Sequence, residues 1–292
     1  TYQRPRNRPV RNARLWSNIR QHMDFETRPG PRKDAMRRIA FFEDHLAPNF
    51  SPIALLRPVF ELRCGHFSVR ERMLSQAADS DWGVCLRPWL QETYALKHPS
   101  AHVNDEAWLR GGPTLFLNGR WLGDPGSLTS VTEDAVGTVE GEVAWLLVDP
   151  DEAALIDPQN CDDALARIAA GRRPVPAGGT MLNYPWDLVH HNAEQLGRDF
   201  RLRSRGGGAP ADLGLQVALQ GNPDDIHIDR HASIDPFVVI DARHGPVWIE
   251  AEARLLPFTR IEGPCYIGRA TQVFRAHVRE GTSIGPVCRV GG

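Results

Sequence analysis

Long apolar runs, net charge and paired cysteines are all scarce in this chain of 292 residues. Each scarcity excludes something. The longest apolar stretches, such as AWLLV (Ala144–Val148), fall far short of the roughly 20 residues that a membrane-spanning helix needs. The amino-terminal end is basic but has no apolar core, so it does not read as a secretory signal. Formal net charge is -2, so no global basic field argues for nucleic acid. The cysteines, Cys64, Cys85, Cys161, Cys265 and Cys288, stand far apart with no CxxC pair. An odd count without metal spacing reads as small, reduced, buried residues. The expectation is a cytoplasmic protein that engages neither membrane nor nucleic acid.

What is present has two textures. Residues 1–36 are rich in Arg and Pro without periodicity and read as a disordered basic extension. Met36 stands directly before the first convincing strand, MRRIAFFED. Residues 37–202 then alternate strand-like and helix-like segments. Strands are expected at 38–43, 82–86, 114–117 and 142–148. Helices are expected at 68–77, 88–97, 161–170 and 185–200. The first opens on Ser68-Val-Arg-Glu71, a capping-box pattern, and the second has Pro88 in its first turn. This alternation implies an α/β domain with a mostly parallel sheet. RSRGGGAPADLG, residues 203–214, is a linker by composition.

After the linker a sixfold repeat begins. An aliphatic residue recurs at Ile228, Ile234 and Ile240, then at Ile249, Leu255, Ile261, Ile267 and Val273, then at Val278, Ile284 and Val290. Small or β-branched residues follow four places later in most units, as at Ala232, Val238, Ala253, Thr259, Cys265, Thr271, Thr282 and Cys288. A period of six suits neither a helix nor an isolated strand. It suits a triangular coil in which each unit is one short strand and a turn, the hexapeptide pattern of a parallel β-helix. Residues 215–292 are expected to form such a helix. The chain stops in mid-repeat at Val290-Gly291-Gly292 without a visible cap, so the β-helix is expected to continue beyond it.

Hexads of this form resemble the left-handed β-helix of acyltransferases. An α/β domain followed by one resembles the bifunctional N-acetylglucosamine-1-phosphate uridyltransferase/glucosamine-1-phosphate acetyltransferase (GlmU) architecture. LLRPVFELRCGHFSVRERM (Leu55–Met73), FLNGRW (Phe116–Trp121) and LNYPWDLVHHN (Leu182–Asn192) resemble the GlmU-like branch of sugar nucleotidyltransferases. The resemblance implies a Rossmann-like nucleotidyltransferase domain that joins a nucleoside triphosphate to a sugar 1-phosphate and releases pyrophosphate. Mg²⁺ and basic side chains would neutralise the phosphates.

The resemblance also implies site residues. Arg57 and Arg63 match family positions and are expected on phosphates. Arg72 stands where relatives of this branch often carry Lys, and it joins them as a catalytic candidate. A solvated helix face with structural ion pairs, such as Glu61 with an arginine, is the alternative for this cluster. Glu61, Asn118, Arg120, Asn183 and Asp187 are candidate substrate contacts. Asn118 and Arg120 can instead form a turn pair, and Asn183 and Asp187 can instead cap the helix that opens at Pro185. Characterised pyrophosphorylases carry a Gly-rich loop like GxGTRxxPxxxPK after the first strand, whereas here Asp44–Pro58 holds no glycine. Metal ligands are left unassigned.

The β-helix implies acetyl-CoA as a possible co-substrate of the longer protein and a homotrimer. The acyltransferase base would be a late-coil histidine. His227, His231, His244 and His277 match no such motif and read as surface or corner residues. The alternatives to a sugar nucleotidyltransferase are a non-catalytic, trimerising nucleotide-sugar binder and a single-function acetyltransferase.

Overall fold

The strand Arg38–Phe42 is apolar after its first residue and buried on both faces, as a strand inside a covered sheet must be. The computed structural model describes residues 38–77, 80–203 and 213–291. The basic extension and all but the ends of the linker lie outside them. In chain order the strands of the main sheet are β1 (Arg38–Phe42), β2 (Trp82–Cys85), β3 (His102–Val103), β4 (Thr114–Asn118), β5 (Ala135–Val139), β6 (Glu142–Val148) and β7 (Arg173–Pro176). Across the sheet they run β7-β5-β6-β4-β1-β2-β3. Every pairing is parallel except the two made by β6. That reversal comes from a tight hairpin at Glu140-Gly141, where both residues have positive φ (52° and 89°) as a type I′ turn requires.

The expected strands at 38–43, 82–86, 114–117 and 142–148 are each present to within one residue. Three were not expected. β5 is interrupted by Gly137, whose bare Cα lets the Trp145 indole lie across it. β7 (RPVP) carries two prolines, which an edge strand tolerates. β3 has only two residues. The helix Val69–Leu74 is opened by Ser68 and Glu71 in a reciprocal capping box. The helices Cys161–Ala170 and Pro185–Arg203 match the expected segments, the latter extended by one turn.

The hexads form three parallel sheets of four strands each. Their register stacks like on like: Ile228, Ile249, Ile267 and Ile284 make one column. Ile234, Leu255, Val273 and Val290 make the second, and Leu219, Ile240, Ile261 and Val278 the third. The inner members of these columns are buried, and Val238, Ala253, Thr259, Cys265 and Thr271 are buried with them. This is a parallel β-helix. Its break between Ile240 and Ile249 is a longer corner, where Asp241 accepts from Arg243 (2.7 Å) and Arg260 (2.5 Å).

The two parts are packed together. Leu196 and Phe200 of the long helix Pro185–Arg203 cluster with Trp248 and Tyr266 of the β-helix. Arg203 pairs with Glu250 (2.7 Å) and lies over the Trp248 ring. His66 stacks on Tyr266 at 4.8 Å. Burial and the surrounding arginines Arg203, Arg63 and Arg72 hold its imidazole well below the usual histidine range, so it packs as a neutral ring.

Gly65 sets this junction. Its φ is +80°, and a Cβ there would meet the Asp199 carboxylate at 2.2 Å. Gly65→Ala is expected to destabilise the protein by about 2–5 kcal/mol, combining left-handed backbone strain with overpacking. Urea denaturation checks this; an unchanged midpoint would show that the turn is not held in place by Asp199.

Candidate active site

In an open α/β sheet, ligands bind beyond the carboxyl ends of the strands where the strand order reverses. Here the chain leaves β1 for β2 and β3 on one side and returns to β4 on the other, so the reversal lies between β1 and β4. That position is filled by side chains. Asp44, just after β1, accepts from Arg120 Nε (2.8 Å) and Nη2 (2.6 Å) and from Asn118 Nδ2 (2.9 Å). Arg120 also donates to the Leu182 carbonyl (2.8 Å), to Asn183 Oδ1 (2.6 Å) and to Glu142. Asn118 is 2% exposed and Arg120 0%. Burial acts to raise the Asp44 pKa, but the bonds and charge of Arg120, with Asn118, outweigh it and hold the carboxyl below its usual range.

Asn118 and Asn183 each bond Arg120 in one polar network at the reversal point, in which Asn118 and Arg120 are buried and Asn183 is partly exposed. Asp187 Oδ2 accepts from the Asn183 (2.7 Å) and Tyr184 (2.9 Å) amides, the capping role named as its alternative. Arg72 is held in a buried ion pair. It is 2% exposed and donates to Asp199 through Nε (3.0 Å) and Nη2 (2.8 Å) and to the Cys64 carbonyl (2.5 Å). The capping box places it on the inner face of its helix, and Asp199 on the long helix neutralises it.

Open space lies one strand over. A cleft of about 600 Å³ is lined by the segment leaving β1 (Leu56, Arg57, Pro58, Glu61) and the helix that follows β2 (Thr93, Tyr94, Lys97, His98). Arg63, Ser68 and Glu71 form its floor side, and Ser283, Gly285, Pro286 and Cys288 of the β-helix complete it. Arg57, Arg63 and Glu61 therefore do meet at one cavity. Glu61 accepts from Arg70 (2.5 Å) and from the Tyr94 hydroxyl (2.7 Å), the ion pair named as its alternative. Burial, reinforced by Glu61, pushes the Tyr94 phenol far up, so it stays protonated as a donor. Burial and the Arg70 charge lower the His98 pKa and favour the neutral imidazole. Arg63 pairs with Glu71 at 3.6 Å and donates to the His66 carbonyl.

Two cations remain without a counter-charge. Arg57 and Lys97 are exposed at the cleft, and neither side chain has an ion-pair or hydrogen-bond partner among the described residues. Lys97 escaped the sequence reading because a lysine at the end of a helix is ordinary. Its signal was rarity: of 34 basic residues only Lys33 and Lys97 are lysines.

The Gly-free loop Asp44–Pro58 does not form a cradle of backbone amides. Ala47, Phe50 and Ala54 anchor it in an apolar cluster with Val59, Leu62, Cys64, Leu122, Leu182 and Leu188. Glu43 fixes its end by accepting from the Val59 amide (2.9 Å) and from Arg87 (2.9 Å). Phosphates entering the cleft would thus meet side-chain cations. Among the described residues no three acidic, histidine or cysteine side chains converge to hold a metal. The cleft carboxylates Glu61 and Glu71 are each tied to an arginine, so these residues do not fit a preformed Mg²⁺ site.

A family model for sugar nucleotidyl transferases matches residues 39–207. No curated protein matches the chain. Among solved structures, a Bacillus anthracis protein described as a glucose-1-phosphate thymidylyltransferase, in complex with sucrose, is 11% identical. That match covers 56% of this chain and 96% of the other, with a TM-score of 0.37.

Proposed function

As the chain belongs to the sugar nucleotidyl transferase family, we propose that its cleft joins a nucleoside triphosphate to a sugar 1-phosphate. The observation that carries this reading is the pair of uncompensated cations, Arg57 and Lys97, at a cavity beyond the ends of β1 and β2. In the reaction a phosphate oxygen of the sugar 1-phosphate attacks the α-phosphorus of the triphosphate. The bond to the β-phosphate's bridging oxygen breaks, and pyrophosphate leaves with that electron pair. Positioning and charge neutralisation do most of the work in such transfers. Arg57 offers a planar fork to two phosphate oxygens, and Lys97 a compact point charge. Arg63, braced by Glu71, stands beside them.

The finer reading is a UDP-N-acetylglucosamine-forming enzyme of the GlmU type, homotrimeric through its β-helix, with acetyl-CoA as a second co-substrate. It rests on the resemblance of the hexads and of RPVFELRCG. One observation favours a second reading, a nucleotide-sugar binder without catalysis: the loop after β1 is packed on apolar anchors and offers no amide cradle.

Pyrophosphate release separates them. The purified protein, with Mg²⁺ and panels of nucleoside triphosphates and sugar 1-phosphates, is expected to release pyrophosphate only with one matched pair. Absence of release from folded protein that still binds either ligand would replace the first reading with the second.

A further inference from the structure

We propose that the exposed indole of Trp89 is the platform on which the base of the nucleoside triphosphate stacks while its phosphates lie on Arg57 and Lys97. The proposal rests on the reading above and adds to it a residue that positions the nucleotide. Every group it uses belongs to the α/β domain.

Trp89 lies in a single turn, Pro88–Leu90, that runs directly into the helix Gln91–Lys97. One side of this segment faces the cleft through Leu90, Thr93, Tyr94, Lys97 and His98. Trp89 stands four positions before Thr93 and eight before Lys97, so the three share one edge, at the rim of the cleft. The aromatic residue within the cleft, Tyr94, is buried and its hydroxyl is committed to Glu61. Trp89 is 62% exposed, which leaves ring surface for a ligand to cover. Leu55 and Leu56, from the segment that carries Arg57, are exposed as well and extend the apolar surface.

The ring is held in place although it faces solvent. Its Nε1 donates to the carbonyl of Leu55 (3.4 Å), two residues before Arg57. The Arg87 guanidinium lies 5.2 Å from the ring centroid. Arg87 also bonds Glu43 (2.9 Å) and donates to the carbonyls of Ala54 (2.7 Å) and Arg57 (3.1 Å). One arginine therefore joins the indole to the backbone of Arg57. A ring already fixed loses little freedom when a base lies on it. The span selects the ligand. Trp89 and Lys97 are about 12 Å apart along the helix, at roughly 1.5 Å per residue. A nucleoside triphosphate has a ribose and a phosphate chain between its base and its last phosphate, so it reaches both. A sugar 1-phosphate carries its ring directly on its phosphate and is too short. Stacking uses the π-face that every base has, so the platform adds affinity without choosing the base.

Trp89→Ala and Trp89→Phe test this by calorimetry and by tryptophan fluorescence. The ligands are whichever of UTP, dTTP, ATP, GTP and CTP binds most tightly, inorganic tripolyphosphate, which has no base, and glucose 1-phosphate. Trp89→Ala is expected to keep the native Tm, since most of the ring is already in solvent. It should weaken nucleoside triphosphate binding on the order of tenfold, the worth of one base–aromatic stack, and leave tripolyphosphate and glucose 1-phosphate binding as they were. Trp89→Phe keeps a ring and should retain most of the affinity. A stacked base quenches indole emission, so the nucleoside triphosphate should quench the native protein more than Trp89→Phe, a signature that a purely structural role would not give. The platform is overturned if a nucleoside triphosphate binds and folded Trp89→Ala holds it as tightly as the native protein, or loses tripolyphosphate to the same extent. A loss confined to glucose 1-phosphate overturns the base assignment. Should Trp89→Ala not fold, equal quenching of the native protein and Trp89→Phe overturns the platform. If no nucleoside triphosphate binds the folded native protein, the nucleotidyltransferase reading itself falls, and the platform falls with it.

Discussion

Arg120→Met is expected to lose about 3–5 kcal/mol of folding stability, the usual consequence of leaving a buried carboxylate without its cation. Against a total of about 5–15 kcal/mol for a typical domain, that loss is a large fraction. The deficit has a pH signature. In the native protein Asp44 is held below its ordinary range. It therefore contributes stability above its unfolded pKa of about 3.9, and the contribution is lost as pH falls through the folded value. Without Arg120, burial is the dominant influence left, and it raises the carboxyl instead. The folded state then suffers most at neutral pH and least in acid. Urea denaturation at pH 7 and near pH 4 should show the variant's deficit shrinking at the lower pH. A deficit that is the same at both would mean that Arg120 acts through packing alone.

Arg57→Ala and Lys97→Ala should behave in the opposite way. Neither side chain has a partner among the described residues, so their removal is expected to leave the urea midpoint unchanged. Each should weaken nucleoside triphosphate binding by about 10–100-fold, the equivalent of one charged hydrogen bond at about 1.5–3 kcal/mol. The double variant should bind more weakly than either single one. Calorimetry at two salt concentrations checks this, since losing a phosphate contact should also flatten the salt dependence. Native affinity in a folded double variant would remove the cleft from consideration as the nucleotide site.

The contrast between these arginines explains what was legible in the sequence. The hexads were legible because every inward column repeats a local spacing, and each coil's neighbour is the next stretch of chain. The strands β1, β2, β4 and β6 were legible because their apolar runs are continuous. The role of an arginine was not legible, because it depends on what lies opposite in space. Arg120 follows a strand and looks like a substrate contact until Asp44, 76 positions away, is found beside it. Arg72 sits in a correctly expected helix, yet its partner Asp199 is 127 positions along. Asp187 was the reverse case, since its capping partners Asn183 and Tyr184 are its sequence neighbours. The packing of the β-helix against the long helix could not be anticipated from the repeat, which specifies what points inward and says nothing of what the outer face leans against.

The scarcity of lysine has a chemical corollary. Arginine guanidinium is not modified by the acylating reagents that modify amines, and among 34 basic residues this sequence has only two lysines, Lys33 and Lys97. Among the described residues the ε-amine of Lys97 is the sole target. For amine-directed labelling the described residues hold one address, and a dye, tether or crosslinker sent there arrives at the mouth of the cleft.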